Sequence, residues 1–186
     1  MGSLQDGLQR VNLFALVVYI PDPLASFLDH LRKELIPGCI PRAHVTVLTP
    51  RPLAVDPQVA TEQARRVASG FAPFDLELGK IEIFQETDVI YVDLAGGVRE
   101  LKEMHDAANT GVLAFDEPFE YHPHVTLAQG LAHDQVDPLY QIASRRWAEF
   151  PHTTRFRAEC VTFVQSTDCI RWADLADISL DGVPAR

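Results

Sequence analysis

The pattern of apolar and polar positions predicts strands that are separated by amphipathic helices. A run rich in β-branched and aromatic residues over 11–20 predicts the first strand, and leucine and phenylalanine at helical spacing over 24–35 predict a helix that Asp22 caps. By the same two periodicities, we predict further strands over 43–48, 74–84, 89–94, 121–127, 155–165 and 170–180, and helices over 57–69, 98–109 and 135–149. The order is therefore β-α-β-α-β, followed by β-α-β-α-β-β.

Two histidines lie in near-identical frames within this pattern. The first frame reads His44-Val-Thr46-Val-Leu, and the second reads His124-Val-Thr126-Leu-Ala. Because side chains alternate along a strand, each histidine shares one face with the threonine, while the intervening valine points to the other face. The frames lie about half a chain length apart and hold equivalent places in the element order. This predicts a duplicated, bilobal α+β fold with two antiparallel sheets, flanked by helices and related by a pseudo-two-fold axis.

The fold prediction assigns residues 1–186 to a single bilobal domain. The two His-x-Thr strands would line its central cleft. No Pro-, Gly- or Ser-rich linker separates the halves, so we expect them to form one unit.

The bare His-x-Thr pattern is a weak signal, because it also occurs at His152-Thr-Thr154. That third copy follows a proline at a predicted helix–strand junction and has a polar middle residue, so we predict that His152 is a solvated junction residue. His44 and His124 are instead followed by apolar strand positions in both halves, which favours a functional role. The other histidines in helical or loop contexts are predicted to lie at the surface: His30, His105 and His133.

A metal-dependent hydrolase is an alternative, because His122 and His124 would share a strand face. Zinc normally needs a third and a fourth ligand at a supporting spacing. Cys160, Cys169 and the acidic residues supply no organised set. We therefore predict no metal site and no cofactor.

The composition narrows the class of partner. A net charge of −10 argues against long duplex nucleic acid, whose phosphates require clustered lysine and arginine. Three cysteines without C-x-x-C spacing predict a reducing, cytoplasmic location. Neither a signal peptide nor a membrane-spanning run is predicted. We expect a monomer that binds a small phosphate-containing ligand.

These motifs resemble those of the 2H phosphoesterase superfamily, which is also called the 2′-5′ RNA ligase-like family. Residues 123–128 look like its second motif, residues 12–16 like its first strand, and residues 161–166 with Trp172 like its closing hairpin. The resemblance covers nearly the whole chain. It implies a metal-independent phosphoesterase that hydrolyses 2′,3′-cyclic phosphates of nucleotides or RNA ends to 2′-phosphates, and it allows the reverse 2′-5′ ligation.

The resemblance also implies roles for the two motifs. It assigns His124 as the base that activates water and His44 as the acid, although the symmetry of the motifs does not itself decide between them. Thr46 and Thr126 would donate hydrogen bonds to the non-bridging phosphate oxygens. Histidine suits both roles, because its ordinary pKa allows neutral and charged forms near neutrality.

The chain departs from the family pattern after each motif. Gln129 stands where many RNA cyclic phosphodiesterases of the family carry arginine, and residues 49–52 replace the Phe-Leu-Gly run of the ligase branch. Both departures leave the RNA substrate open. Gln129 is itself a candidate for substrate binding.

Four further residues are candidates for substrate binding. Arg42 or Arg51 would supply the positive charge that Gln129 lacks, with a surface role as the alternative for each. Tyr121 and Phe14 would stack on a base, and core packing is the alternative for Phe14. A nucleotide- or RNA-end-binding module without turnover is the alternative function.

Overall fold

The computed structural model describes residues 9–167 and 171–182. Its strands are β1 (Arg10–Tyr19), β2 (His44–Arg51), β3 (Phe74–Phe84), β4 (Val89–Gly96), β5 (His124–Ala128), β6 (Arg155–Ala158), β7 (Cys160–Thr167) and β8 (Arg171–Ser179). Its α-helices are α1 (Leu24–Leu35), α2 (Pro57–Ala68), α3 (Val98–Ala108) and α4 (His133–Ala148), and a short 3₁₀ helix, Gly111–Leu113, follows α3.

The strands form two antiparallel sheets of four strands each. One sheet has the order β2-β1-β7-β8 and the other has the order β5-β4-β3-β6. In both sheets the His-x-Thr strand is an edge strand, and it pairs with the strand that precedes it in the chain, β2 with β1 and β5 with β4. The α+β fold with two antiparallel sheets and flanking helices is therefore confirmed.

The closing segment differs from the sequence-based expectation. The single strand predicted over 155–165 is two strands, because the chain passes from the second sheet to the first at the exposed Glu159. Before it, β6 alternates exposed and buried residues against β3, whereas β7 is buried along most of its length between β1 and β8. The first sheet is therefore completed by the C-terminal hairpin and not by a contiguous half of the chain. Ile170, with which the last predicted strand begins, lies outside the described residues.

Aspartate side chains accept hydrogen bonds from backbone nitrogens in the first turns of α1 and α2. Asp56 accepts a hydrogen bond from the backbone nitrogen of Gln58 at 2.8 Å and caps α2. Asp22 lies one residue before the N-cap of α1 and accepts from the backbone nitrogen of Ser26 at 3.0 Å. In the described part of the chain, no helix combines the length and apolar character needed to span a bilayer.

Helices α1 and α3 position the two motif strands. Each helix packs against the edge strand of the opposite sheet: α1 contacts β5, and α3 contacts β2. Strands β2 and β5 also contact each other. This crossed packing brings the two His-x-Thr motifs together at the junction of the sheets.

Candidate active site

The two motif segments have the same burial at corresponding positions. From 41 to 48 and from 121 to 128, the order is half-buried, exposed, buried, half-buried, buried, half-buried, and then two buried residues. Val45 and Val125 point into the core and are 0% and 2% exposed. The histidine and the threonine of each motif therefore share the accessible face, as strand alternation predicts.

Both motif imidazoles are fixed by the same hydrogen bond. Nδ1 of His44 lies 2.6 Å from the carbonyl oxygen of Arg42, and Nδ1 of His124 lies 2.7 Å from that of His122. A carbonyl oxygen can only accept, so each Nδ1 carries the hydrogen. Each Nε2 is therefore left to exchange a proton with a ligand.

The surroundings favour neutral imidazoles in the free protein. Burial lowers the pKa of His44, and the charges of Arg32, His124 and Arg42 lower it further, against the hydrogen bond to the Arg42 carbonyl. Burial likewise lowers the pKa of His124.

Two charged neighbours act in opposite directions on the pKa of His124: His122 lowers it, and Asp93 raises it by less. Asp93 opposes the lowering of the pKa of His124, and its Oδ1 lies 3.0 Å from Nε2 of His122. Among the described residues, no carboxylate has that effect on His44, where the flanking charges are cationic. Of the two motif histidines, only His124 therefore has, among the described residues, a carboxylate that favours its protonated form.

Two hydrogen bonds cross between the motif strands and the opposite half. Nη1 of Arg32, in α1, donates to the carbonyl of Thr126 at 3.0 Å. The Tyr121 hydroxyl, just before β5, donates to the carbonyl of Thr46 at 2.7 Å. A small cavity beside these contacts is lined by His44, Arg32 and Thr126, among others. Arg32 was not singled out from the sequence, because a polar residue near the end of an amphipathic helix gives no distinguishing signal.

An aromatic cluster lies beside His124. The rings of Phe84 and Tyr91 stack with centroids 3.9 Å apart, and the ring of His124 meets Phe84 edge-on at 5.0 Å. His122 meets Phe84 in the same way at 5.3 Å. Sequence analysis did not identify Phe84 or Tyr91, since their proximity to His124 depends on the pairing of β4 with β3 and β5.

The family model for the 2′-5′ RNA ligase superfamily matches residues 20–167, most of the chain. The chain belongs to the 2′-5′ RNA ligase superfamily. The predicted membership is thereby confirmed. A relative from Bacillus licheniformis, provisionally named a phosphoesterase, is 26% identical over 125 residues, or 66% of this chain and 73% of that protein. A similarly named protein from Oceanobacillus iheyensis is 28% identical over 79 residues, which span 42% of this chain and 46% of that relative.

Several solved structures resemble the fold of the chain over nearly its whole length. Apo E. coli LigT matches with a TM-score of 0.64 at 17% identity and covers 92% of this chain and 97% of its own. The protein TT0787 of Thermus thermophilus matches with a TM-score of 0.58 at 19% identity, over 91% of this chain and 98% of its own. At these identities the likeness supports the fold alone.

In this superfamily member, Arg51 is a core residue and its predicted role as a phosphate ligand is wrong. Its side chain is 2% exposed, forms an ion pair with Glu117, and donates to Asn109 Oδ1 at 2.7 Å and to the Leu113 carbonyl at 2.8 Å. Its place at the end of β2 directs it inward, opposite Phe14 of β1. The sequence did not reveal this, because Glu117 lies in a distant loop.

Phe14 is also in the core, so the prediction that it stacks on a base is wrong. It is 2% exposed, and its ring stacks on Phe163 with centroids 5.8 Å apart. Gln129 is exposed immediately after β5. Its role in substrate binding stays a prediction.

Arg42 lies next to the site with its charge already paired. Its Nη1 donates to both carboxylate oxygens of Asp174, at 2.7 and 2.9 Å, and its guanidinium carbon lies 3.3 Å from the ring centroid of Tyr19. The side chain is 58% exposed. A ligand phosphate would therefore have to compete with Asp174 for Arg42.

His105 is buried, and the prediction that it lies at the surface is wrong. It is 6% exposed, its Nε2 lies 3.2 Å from Glu117 Oε2, and its ring stacks on Tyr121 with centroids 4.0 Å apart. One face of the Tyr121 ring is therefore covered by protein. Exposed positions are confirmed for the histidines outside the motifs at 30, 133 and 152.

His122 and His124 lie near each other, with ring centroids 6.3 Å apart. Within residues 9–167 and 171–182, no three histidine, cysteine, aspartate or glutamate side chains are grouped so that they could hold one metal ion. The pair therefore has no third ligand among the residues that the structure describes.

Proposed function

We propose that this protein is a metal-independent cyclic phosphodiesterase that hydrolyses 2′,3′-cyclic phosphates of nucleotides or RNA ends to 2′-phosphates. The observation that carries the proposal is the matched pair of motif histidines, each with Nδ1 bonded to a carbonyl and Nε2 left for proton exchange. E. coli LigT, whose fold resembles that of this chain, has been solved with 3′-AMP and with phosphate. This likeness supports a small phosphate-containing ligand for the present site. With the 5′-hydroxyl of a second RNA end in place of water, attack on the cyclic phosphate would break the bond between phosphorus and O3′ and join the two ends by a 2′-5′ linkage.

The proposed reaction needs one proton acceptor and one proton donor. Water attacks phosphorus, and Nε2 of one histidine takes its proton. The bond between phosphorus and the ribose O3′ breaks, and Nε2 of the other histidine protonates O3′, leaving a 2′-phosphate and a 3′-hydroxyl. The hydroxyls of Thr46 and Thr126 donate to the non-bridging oxygens, where negative charge increases.

The two histidines need not keep the same roles in every step. Family resemblance assigns His124 as the base and His44 as the acid. The opposite distribution is the alternative, since Asp93 supports a proton on His124, against the effect of His122, and Arg32 opposes one on His44. We propose that the bound phosphodiester anion supplies the charge that lets one imidazole become protonated.

The test is hydrolysis of 2′,3′-cyclic nucleotides in EDTA by the wild type and by His44→Ala and His124→Ala. Each substitution should lower kcat by about 10²–10⁴-fold. His152→Ala is the matched control, because it removes the histidine of the third His-x-Thr copy from an exposed position. It should retain wild-type activity.

The possible results separate the alternatives. A wild type that is inactive on a broad panel of cyclic phosphates would contradict the substrate class. Binding of a nucleotide without turnover would support the binding module, and loss of activity on chelation with stoichiometric zinc would support the metal-dependent hydrolase. Wild-type rates in His44→Ala and His124→Ala would contradict the site.

We further propose that the chain acts as a monomer on a small nucleotide or an RNA end, with residues 1–186 as one bilobal domain. The net charge of −10 supports a small ligand over a long duplex. Light scattering during size-exclusion chromatography, with and without nucleotide, tests the monomer. A dimeric mass at working concentration would contradict it.

A further inference from the structure

We propose that Arg32 and Tyr121 are positioning residues that hold the backbone of the two motif threonines and so set the spacing of the donors around a bound phosphate. This inference rests on the proposed function, because it assumes that the threonine hydroxyls and the imidazoles act on one phosphate. Neither residue needs to touch the substrate.

The two side chains bond to the same atom of each motif, the carbonyl oxygen of its threonine. Arg32 donates to the carbonyl of Thr126 at 3.0 Å, and Tyr121 donates to the carbonyl of Thr46 at 2.7 Å. Both threonines lie in edge strands, where the outward-facing carbonyls have no partner strand. The two side chains replace the missing strand at the one residue of each edge that carries the phosphate-binding hydroxyl.

Each contact joins opposite halves of the molecule. Arg32 belongs to α1, which follows the first strand, yet it bonds to the motif of β5. Tyr121 precedes β5, yet it bonds to the motif of β2. The pair therefore fixes β2 and β5 relative to each other, which a hydrogen bond within one sheet would not do.

The Tyr121 contact is supported by a buried polar network. Its ring stacks on His105 with an interplanar angle of 4°, and His105 contacts Glu117, which is 8% exposed. Glu117 also accepts from the Thr49 hydroxyl at 2.8 Å and pairs with Arg51. Side chains in such a network have little freedom to move, so the Tyr121 hydroxyl has a defined position.

The two contacts are supported by helices that hold corresponding places in the two halves. Arg32 follows the buried Leu31 of α1, and His105 follows the buried Met104 of α3. α1 packs on β5 and α3 packs on β2. Each helix thus braces the opposite motif strand, directly through Arg32 in one half and through His105 and Tyr121 in the other.

The experiment compares Tyr121→Phe and Arg32→Met with the wild type in steady-state kinetics on 2′,3′-cyclic nucleotides and in calorimetric binding of inorganic phosphate. Tyr121→Phe keeps the ring and removes the hydroxyl. We expect kcat to fall ~10- to 100-fold with a smaller change in KM, because small displacements of aligned groups are costly. Phosphate binding should weaken at least ~5-fold.

Two further variants separate positioning from general stability. Arg32→Lys keeps a cationic donor, so it should recover most of the kcat that Arg32→Met loses. Trp147→Phe is the matched control: it removes another side-chain bond to a backbone carbonyl, that of Gly79 at 2.8 Å, in a strand that carries neither motif. It should lower the melting temperature and leave kcat unchanged.

Several results would overturn the inference. Wild-type kcat and phosphate affinity in Tyr121→Phe and Arg32→Met would do so, as would an equal loss of kcat in Trp147→Phe. If Arg32→Met does not fold, the kinetics and phosphate binding of Tyr121→Phe and Arg32→Lys test the inference. A wild type that binds phosphate but opens no cyclic phosphate contradicts the proposed function alone. The positioning role is then tested by the phosphate affinities of the variants relative to the wild type. A wild type that neither binds phosphate nor opens a cyclic phosphate overturns both.

Discussion

His44 and His124 are held in the same orientation by main-chain carbonyls two residues earlier, at 2.6 and 2.7 Å from Nδ1. A neutral carbonyl orients the ring without contributing the full negative charge that would stabilise an imidazolium. Burial therefore determines the direction of both pKa shifts, and it lowers the pKa of each histidine. The site is oriented for proton transfer, and the lowered pKa values favour the neutral form of both imidazoles before a ligand binds.

Binding of a phosphodiester anion should take up protons. The lowered pKa values favour neutral imidazoles in the free protein, and an adjacent anion favours the charged form and raises the pKa of at least one. Affinity should therefore rise as pH falls from about 8 to about 5. A ligand such as 3′,5′-cyclic AMP suits the test, because the charge on its phosphodiester is constant over this range.

Calorimetry in two buffers of different ionisation enthalpy measures the uptake directly. We expect a positive number of protons for the wild type and a smaller number for His44→Gln or His124→Gln. His30→Gln is the control, since His30 is also bonded through Nδ1 to a carbonyl but is exposed on a helix. An affinity that does not change with pH would contradict this view of the site.

The threonine hydroxyls should contribute to the rate much more than to stability. Thr46→Val and Thr126→Val keep the side-chain shape on the half-buried strand face and remove one hydrogen-bond donor each. We expect kcat to fall about 10²-fold or more for each, because the donors act on charge that develops in the transition state. Steady-state kinetics and thermal melts test this. Thr154→Val, in the third copy, should retain kcat, and equal rates in all three variants would exclude the threonine role.

A substrate with a good leaving group should identify the acid. A p-nitrophenyl phosphodiester of a nucleotide releases an anion that needs no proton, so loss of the acid should cost little on it, while loss of the base should still cost about 10²–10⁴-fold. Family resemblance predicts recovery in His44→Ala. The Asp93 charge beside His124 predicts recovery in His124→Ala instead. Recovery in neither variant would mean that the two histidines do not divide the roles in this way.

The buried ion pair of Arg51 and Glu117 should be important for stability. Arg51→Met leaves Glu117 buried without its cation, which should reduce the free energy of unfolding by about 3–5 kcal/mol. Arg42→Met breaks an ion pair whose arginine is 58% exposed, and it should cost about 1 kcal/mol or less. Urea unfolding of both variants measures the contrast. Similar losses would mean that Arg51 is not the structural residue described here.

The local sequence predicted the elements well, because each depends on periodicity and caps. The helix over 24–35 and the strand over 74–84 occur with the predicted bounds. The strand predicted over 155–165 was wrong in extent, because a transfer between sheets at Glu159 depends on pairing with β3 and β1, which lie far away in the chain. Periodicity reports which face is buried and does not report the partner strand.

For the candidate site too, the local sequence determined some features and only tertiary contacts decided the others. The repeated frames alone determined that His44, Thr46, His124 and Thr126 lie on accessible strand faces, since alternation is a property of the backbone. Only the tertiary structure decided that Arg51 and Phe14 are buried, and that Arg32 and Tyr121 reach the motif carbonyls. The physical reason is that a side chain's neighbours are set by contacts between distant segments, which no local pattern of residues encodes.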